Sequence, residues 1–156
     1  MEREEMPCDV LFVGAGPANL AGAIHLMNLI EAHNEAVEAG NKAGEVFDEP
    51  MIMVLEKGSE VGAHQLSGAV LDPKALDELV PDWRERDDFP VERFVENETM
   101  VFLTEDGQIE APWIPPELIN HGKPIVSLGR FCKWLAEIAE EKMANIMQGF
   151  AGTDLL

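Results

Sequence analysis

The apolar residues of this chain form short continuous runs separated by a series at helical spacing. Residues 10–13, directly after Asp9, form the first run, and 20–30 carry apolar side chains every three or four positions. A second run, 51–55, follows Pro50 and closes at Glu56. Runs of this kind are typical of strands buried on both faces of a parallel sheet. The pattern therefore predicts a strand–helix–strand unit.

The stretch between the helical series and the second run is acidic and rich in Gly and Ala. We interpret residues 31–49 as the frayed end of the helix followed by a surface insertion. After the second run, residues 58–68 form a loop punctuated by glycine. A short helix over 72–79 is predicted next, with Asp72 as its N-cap and Pro73 at its first position.

The remainder of the chain predicts a hairpin, a short strand and a second helix. Residues 100–103 and 108–109 flank an Asp-Gly turn, which is a hairpin signal. The prolines within 111–116 exclude a central strand there. A short strand is predicted at 125–126, and apolar residues at helical spacing over 128–139 predict an amphipathic helix. The tail from 146 has room for the start of one more strand.

These elements predict an α/β protein with a Rossmann-like FAD/NAD(P)-binding fold, an incomplete parallel sheet and a β-hairpin excursion. We divide the chain into a βαβ dinucleotide-binding unit (8–90), a β-rich excursion (91–128), and a helix leading into the next strand (129–156). A doubly wound sheet needs more strands than these to bury its helices. We therefore expect the chain to be the N-terminal part of a longer protein.

The net charge, the cysteines and the lengths of the apolar runs argue against several classes of binding partner, metal site and membrane segment. A net charge of −19 argues against nucleic acid, and against adhesion to anionic lipid by charge alone. The two cysteines, Cys8 and Cys132, lack metal-ligand spacing, so we interpret them as small buried hydrophobes in a reducing compartment and expect no metal site. We find no signal peptide before the first strand, and no apolar run long enough for a membrane span.

The glycine turn after the first strand carries the candidate chemistry. Gly14 permits a tight turn, and Gly16 lets a pyrophosphate approach the backbone at the start of a helix. Asn19 replaces the third glycine of the usual motif, so we expect a wider helix–strand contact or a local cap there. Glu56 is placed to accept hydrogen bonds from a ribose 2′-OH, which disfavours a 2′-phosphate. Pro17 favours FAD over NAD only by association with known flavoproteins.

Two further segments admit two interpretations each. In the loop 62–69, small residues permit backbone contact with a phosphate or a flavin ring. His64 is either a hydrogen-bond donor to the cofactor or an exposed loop histidine. The proline-stiffened segment from Trp113 to Ile119 is either a loop packed on the domain or an apolar surface for lipid or a lipid-like substrate. No role is assigned to His25 or His33, and His121 lies in a turn.

Several motifs combine into a family pattern. They are Val13-Gly-Ala-Gly-Pro-Ala18, Leu55-Glu-Lys57, Gly62-Ala-His-Gln-Leu-Ser-Gly-Ala-Val-Leu-Asp-Pro73, Ala75-Leu76, Val80-Pro-Asp-Trp83, Asn120-His-Gly122 and Ile125-Val-Ser-Leu-Gly129. With them the chain resembles the electron-transfer flavoprotein–ubiquinone oxidoreductase family. It departs from that family's pattern at Asn19, in the 31–49 insertion and at Lys123-Pro124.

The resemblance implies an FAD, a [4Fe–4S] cluster whose ligands lie outside this chain, and a ubiquinone site. It implies electron transfer from reduced electron-transfer flavoprotein to ubiquinone by a monotopic membrane protein. That protein would lie at the cytoplasmic face of a bacterial inner membrane, or at the matrix side of the mitochondrial inner membrane. The segment 113–122 would approach the quinone and the membrane.

The resemblance also implies which residues meet the FAD, and it assigns no acid–base or nucleophilic catalytic residue. Two other hypotheses stay open, namely an FAD-dependent reductase of the geranylgeranyl-reductase type and a non-catalytic nucleotide-binding module. The residues implied to contact the phosphates and ribose are Gly14, Gly16, Pro17, Ala18, Glu56 and Lys57, and those implied to lie near the flavin are His64, Leu66, Ser67 and Gly68.

Overall fold

The computed structural model describes residues 6–66 and 68–154, which fall into two compact units. Residues 6–66 and 128–154 form the first unit, and residues 68–127 form the second. The second unit therefore begins before the short helix, whereas the sequence places its excursion at 91–128. The functional division 8–90, 91–128 and 129–156 stays a prediction.

The first unit is a three-stranded parallel sheet with two long helices. Its elements in chain order are β1 (Val10–Val13), α1 (Pro17–Glu38), β2 (Ile52–Glu56), α3 (Leu128–Glu141) and β8 (Asn145–Gln148). The strand order is β1-β2-β8, so β2 lies in the centre. Register pairs Val13 with Leu55 and Glu56 with Gln148. The predicted strand–helix–strand unit and the closing strand are confirmed.

Burial explains why these segments form these elements. The central strand begins with Ile52, Met53 and Val54, all buried, as a continuous apolar run predicts. In α1 the buried residues lie at the predicted helical spacing, and α1 packs against α3. The buried side chains of the two helices are Leu20, Ala23, Ile24 and Met27 in α1, and Phe131, Cys132, Trp134, Leu135, Ala136, Ile138 and Ala139 in α3.

The first helix is longer than the sequence pattern predicted, and this part of the prediction is wrong. Residues 31–38 are regular helix, and only 39–49 form an exposed loop. Alanine and glutamate are good helix formers even without an apolar stripe. The loop also folds back on the helix, because the Asn34 carboxamide exchanges two hydrogen bonds of 2.9 Å with the backbone of Phe47. Lys142, the residue after α3, forms an ion pair of 2.8 Å with Glu31 on the same helix.

The second unit contains a small antiparallel sheet, a hairpin and two short helical segments. Strand β7 (Pro124–Val126) lies between β3 (Ala69–Val70) and β4 (Val91–Phe94). The predicted hairpin is present as β5 (Val101–Leu103) and β6 (Gln108–Glu110). Helix α2 spans Lys74–Leu79, and a 3-10 turn spans Pro116–Leu118. None of the helices in the described part of the chain has the length and apolar character that crossing a bilayer demands.

The predicted N-cap of α2 is wrong by one residue. Pro73 occupies the cap position, and the Asp72 carboxylate accepts the N–H of Lys74 at 3.2 Å. Aspartate readily forms such a turn with the backbone two residues on. This hydrogen bond, and after it the Lys123 ammonium, hold the pKa of Asp72 below its usual value. Lys123 therefore ties the start of β7 to the start of α2.

A contact between two glycines attaches the loop after β2 to the start of α3. Gly62 has φ +83°, and a Cβ at this position would lie 2.4 Å from the carbonyl oxygen of Gly129. The Lys133 ammonium adds an ion pair of 2.7 Å with Glu60. Because the Gly62–Gly129 contact is between backbones, no side-chain rotation relieves a clash there.

We expect Gly62→Ala to destabilise the chain by about 3 kcal/mol, because it adds a clash with backbone to the strain of a positive φ. Gly149→Ala is the matched control in the same unit, since Gly149 has φ +80° with no atom within 4 Å of its Cβ position. The control should lose about 1 kcal/mol, from strain alone. Equilibrium urea unfolding measures both, and equal losses would show that the glycine–glycine contact is unimportant.

Candidate nucleotide-binding site

The turn 14–16 lies at the carboxyl end of β1 and leads directly into α1. Gly14 has φ +97°, a conformation that glycine adopts without strain. Its N–H donates to the carbonyl of Leu55 at 2.7 Å, which extends the β1–β2 ladder by one residue. No side chain lies close to Gly16, since the nearest atom to its Cβ position is the Gln65 Nε2 at 3.9 Å. The turn is therefore open to a ligand at Gly16.

The Glu56 carboxylate connects this turn to the end of β2. One of its oxygens accepts the N–H of Ala15 at 3.0 Å, and the other accepts the N–H of Gly58 at 2.7 Å. The side chain is only partly buried. A carboxylate has about four lone-pair sites, so two remain for further donors such as ribose hydroxyls. The structure thus brings Gly14, Gly16 and Glu56 together, as the motif predicted.

Asn19 forms local hydrogen bonds with the turn before α1, not the helix cap that the sequence offered as one of two outcomes. Its Nδ2 donates to the carbonyls of Val13 and Gly14, at 2.8 Å each. The close helix–strand contact normally provided by the third glycine lies one turn further along α1. There a Cβ on Gly22 would lie 3.1 Å from the Phe12 ring. Sequence reasoning missed Gly22, although its spacing from position 19 places both on one helix face.

The start of α1 favours an anion. Pro17 and Ala18 form its first turn with Asn19 and Leu20, and this turn contains no acidic residue. The first N–H groups of a helix lack helical partners and carry the positive end of the helix dipole. Within the described residues, the N–H of Gly16 donates to no protein group. These features fit the pyrophosphate of a dinucleotide such as FAD.

The other predicted site residues are placed less closely. His64 is exposed, and its Cε1 lies 3.3 Å from the Cβ position of Gly58. Lys57 is exposed, and Leu66 is 85% exposed. Ser67 lies outside the described residues. Gly68 belongs to the second unit, with φ +82° and open space around its Cβ position. The roles of these residues near a flavin stay predictions.

The Asn120-His121-Gly122 turn is held by neighbouring backbone in the second unit. Gly122 donates its N–H to the carbonyl of Val95 at 2.8 Å, and Glu98 accepts the N–H of Asn120. The Asn120 side chain accepts from the Lys123 ammonium at 3.3 Å. Lys123 therefore secures this turn as well as α2.

The pKa of the buried Cys132 thiol, on α3, is affected by the Glu56 carboxylate. Burial, and after it the negative charge of Glu56, raise the pKa of Cys132 from 9.0 to about 11. A thiol kept protonated in this way is a poor nucleophile and a poor metal ligand. In residues 6–66 and 68–154, no three His, Cys, Asp or Glu side chains come together as a metal site.

The fold and the glycine turn define the class of the protein as an α/β protein with a Rossmann-like fold of the FAD/NAD(P)-binding type. The myxobacterial chondrochloren halogenase, described as an FAD-dependent halogenase, superposes with a TM-score of 0.55 and 16% sequence identity. The match covers 96% of this chain and 30% of the halogenase. At this identity the likeness shows the fold alone.

Sequence comparison specifies the family that the chain resembles. The electron transfer flavoprotein-ubiquinone oxidoreductase of Pseudomonas aeruginosa is 42% identical over 159 residues, and the mitochondrial protein of Bos taurus is 37% identical over 157. A probable member from Acinetobacter baylyi is 40% identical over 161 residues. Each alignment covers 100% of this chain, but only 26%, 23% and 26% of the respective relatives. No family model matches the chain.

The predicted resemblance is therefore confirmed. This chain is related to the electron transfer flavoprotein-ubiquinone oxidoreductases and is similar to their N-terminal part. It spans about a quarter of the length of the curated relatives it matches.

The raised pKa of Cys132 predicts a loss of stability at alkaline pH. The contribution of the Cys132 thiol to the free energy of unfolding is fully present below pH 9 and disappears as the pH rises through about 11. The reason is that the thiol loses its proton at a lower pH in the unfolded chain than in the folded one. Between pH 9 and pH 11, the free energy of unfolding of the wild-type chain should fall by about 1 to 2 kcal/mol more than that of Cys132→Ala. Urea unfolding at stepped pH measures the difference, and Cys8 is common to both proteins. Parallel curves above pH 9 would contradict the assignment.

Proposed function

We propose that this chain is the FAD-binding N-terminal part of a flavoprotein of the electron-transfer flavoprotein–ubiquinone oxidoreductase type. One observation carries the proposal. The Glu56 carboxylate accepts a hydrogen bond from the turn 14–16 and so fixes this turn at the start of α1. The turn belongs to a chain that is 42% identical to such an oxidoreductase over 26% of its length. Both the shape of the site and the family thus support the same cofactor.

Each part of the turn has a distinct task in this proposal. Gly16 and the first N–H groups of α1 donate to the pyrophosphate, and Pro17 sets the start of the helix. The two free lone-pair sites of Glu56 accept the ribose hydroxyls. Lys57 belongs with Glu56 to the ribose end of the site, and His64, Leu66, Ser67 and Gly68 contribute the loop beside the flavin. FAD, when bound, supplies the redox chemistry.

The wider function follows from the names of the relatives. We propose that the complete polypeptide accepts electrons from electron-transfer flavoprotein and delivers them to ubiquinone, with a [4Fe–4S] cluster held by residues outside this chain. We also propose a peripheral membrane contact, at the cytoplasmic face in bacteria or the matrix side in mitochondria. The exposure of Trp113 (65%) and Leu118 (55%) supports an approach of 113–122 to quinone and membrane.

Gly16→Ala separates nucleotide binding from folding. Gly16 has φ −80°, and its Cβ position has no atom closer than 3.9 Å, so alanine fits the free protein. The free energy of unfolding should change by less than about 0.5 kcal/mol. The added methyl occupies the space that a pyrophosphate needs, so ADP and FAD should bind at least about tenfold more weakly by titration calorimetry.

Gly107→Ala, in the hairpin turn, is the matched control and should bind both ligands as the wild type does. Its Cβ position is also open, with the nearest atom 4.0 Å away. Wild-type affinity in Gly16→Ala would overturn the placement of the pyrophosphate. Absence of binding by the wild-type chain would overturn the proposed FAD site itself.

The reading frame beyond codon 156 tests the wider function. We expect a continuing frame with four closely spaced cysteines near its far end, and a product that reduces ubiquinone with electrons from reduced electron-transfer flavoprotein. A long frame without those cysteines would favour a lipid reductase of the geranylgeranyl-reductase type. A stop at that point would favour a stand-alone nucleotide-binding module and would overturn the enzyme proposal.

A further inference from the structure

The Asn19 side chain makes contacts that a glycine at this position lacks. Its amide group carries two hydrogens, and two carbonyl oxygens, those of Val13 and Gly14, lie 2.8 Å from its nitrogen. Val13 is the last residue of β1, and Gly14 is the residue with positive φ. One side chain on α1 thus bonds both residues at which the chain leaves the sheet.

Three further polar groups of the turn are also hydrogen-bonded without a ligand. Gly14 donates to the carbonyl of Leu55, and Ala15 donates to the Glu56 carboxylate. The carbonyl of Gly16 accepts the N–H of Leu20 at 3.0 Å. The N–H of Gly16 is the group of the turn that donates to no described residue. These hydrogen bonds fix the turn, and they leave the N–H of Gly16 available to donate to a ligand.

We propose that Asn19 is a positioning residue that holds the turn 14–16 in its ligand-ready conformation before the nucleotide binds. This inference rests on the proposed nucleotide site. Its physical basis is preorganisation, because a turn that is already ordered loses less conformational entropy when the ligand arrives. In this chain two residues, Gly22 and Asn19, take the place of the third glycine of the usual motif. Gly22 allows the close contact with Phe12, and Asn19 secures the turn.

Asn19→Ala tests the proposal, because it removes both hydrogen bonds and preserves helix propensity. In the ligand-free chain, amide hydrogen exchange at Gly14 and Ala15 should accelerate about tenfold, and exchange in the body of α1 should not change. ADP and FAD should bind about tenfold more weakly by titration calorimetry, which is the effect of losing roughly one net hydrogen bond of stabilisation.

Asn34→Ala is the matched control. Asn34 lies on the same helix and also makes two side-chain hydrogen bonds, both to Phe47 in the exposed loop. Its loss should leave the exchange rates of the turn and the affinity for ADP unchanged. Asn19→Leu is the second variant, for the case that alanine impairs folding. It keeps a similar size and adds no charge but cannot donate hydrogen bonds, so it should accelerate exchange at the turn and weaken ADP binding as Asn19→Ala does.

The outcomes distinguish a failure of the positioning role of Asn19 from a failure of the proposed nucleotide site. Unchanged exchange at Gly14 and Ala15 in Asn19→Ala would overturn the inference, as would acceleration spread evenly over α1, because that marks a general loss of stability. Faster exchange at the turn with unchanged ADP affinity would overturn the positioning role. If the wild-type chain binds neither ADP nor FAD, the proposed function fails, and the exchange data still decide whether Asn19 holds the turn.

Discussion

The first unit depends on one residue, Glu56, whose carboxylate and backbone carbonyl together bond the segments that follow β1, β2 and β8. Glu56 reaches back to Ala15 in the turn after β1 and forward to Gly58 in the loop after β2. Its own carbonyl accepts the N–H of Phe150, just beyond β8, at 2.9 Å. All three strands of the parallel sheet thus meet at this residue. Charge-assisted bonds from backbone N–H groups are among the stronger hydrogen bonds in proteins, so the geometry is well determined.

The position of this carboxylate explains how one edge of the sheet both stabilises the fold and lies where the proposed ligand would bind. In open α/β sheets, ligands bind beyond the carboxyl ends of the strands, where loops and helix starts converge. Here the loop after β2 is attached to α3 by the Gly62–Gly129 contact, and the turn after β1 is held by Asn19. A ligand at the proposed site would therefore meet an edge whose backbone is already held by hydrogen bonds, with open space left at Gly16.

The sequence predicted the parallel sheet, the hairpin and the nucleotide turn because each has a strong local signal. Continuous apolar runs identify β1 and β2, an Asp-Gly turn identifies β5–β6, and two glycines beside a strand identify the turn. It missed β3 and β4 for a physical reason. Ala69–Val70 is only two residues long, and Val91–Phe94 contains Glu92 and Arg93 and is largely exposed. Neither strand carries the alternation that burial of one face produces.

Non-local contacts account for the other differences. The second half of α1 is supported by hydrogen bonds from Asn34 to a loop residue 13 positions away and by an ion pair of Glu31 with Lys142, the residue after α3. No local pattern reports such partners. In the site, motif reasoning identified Gly14, Gly16 and Glu56 but did not find that Gly22 replaces the third glycine, because that role became visible only through the Phe12 ring.

The charge of the chain poses a problem that the local arrangement resolves. A protein with a net charge of −19 should repel a dianionic pyrophosphate, yet the proposed site uses no basic side chain at the turn. Screening at physiological salt limits exposed charges to a range of about 8 Å, so only charges near the turn act strongly. The first turn of α1 contains no acid, and two backbone N–H groups bond to the carboxylate of Glu56. Backbone N–H groups and the helix dipole thus offset part of the negative charge of Glu56, so the net charge alone does not exclude a pyrophosphate from the proposed site.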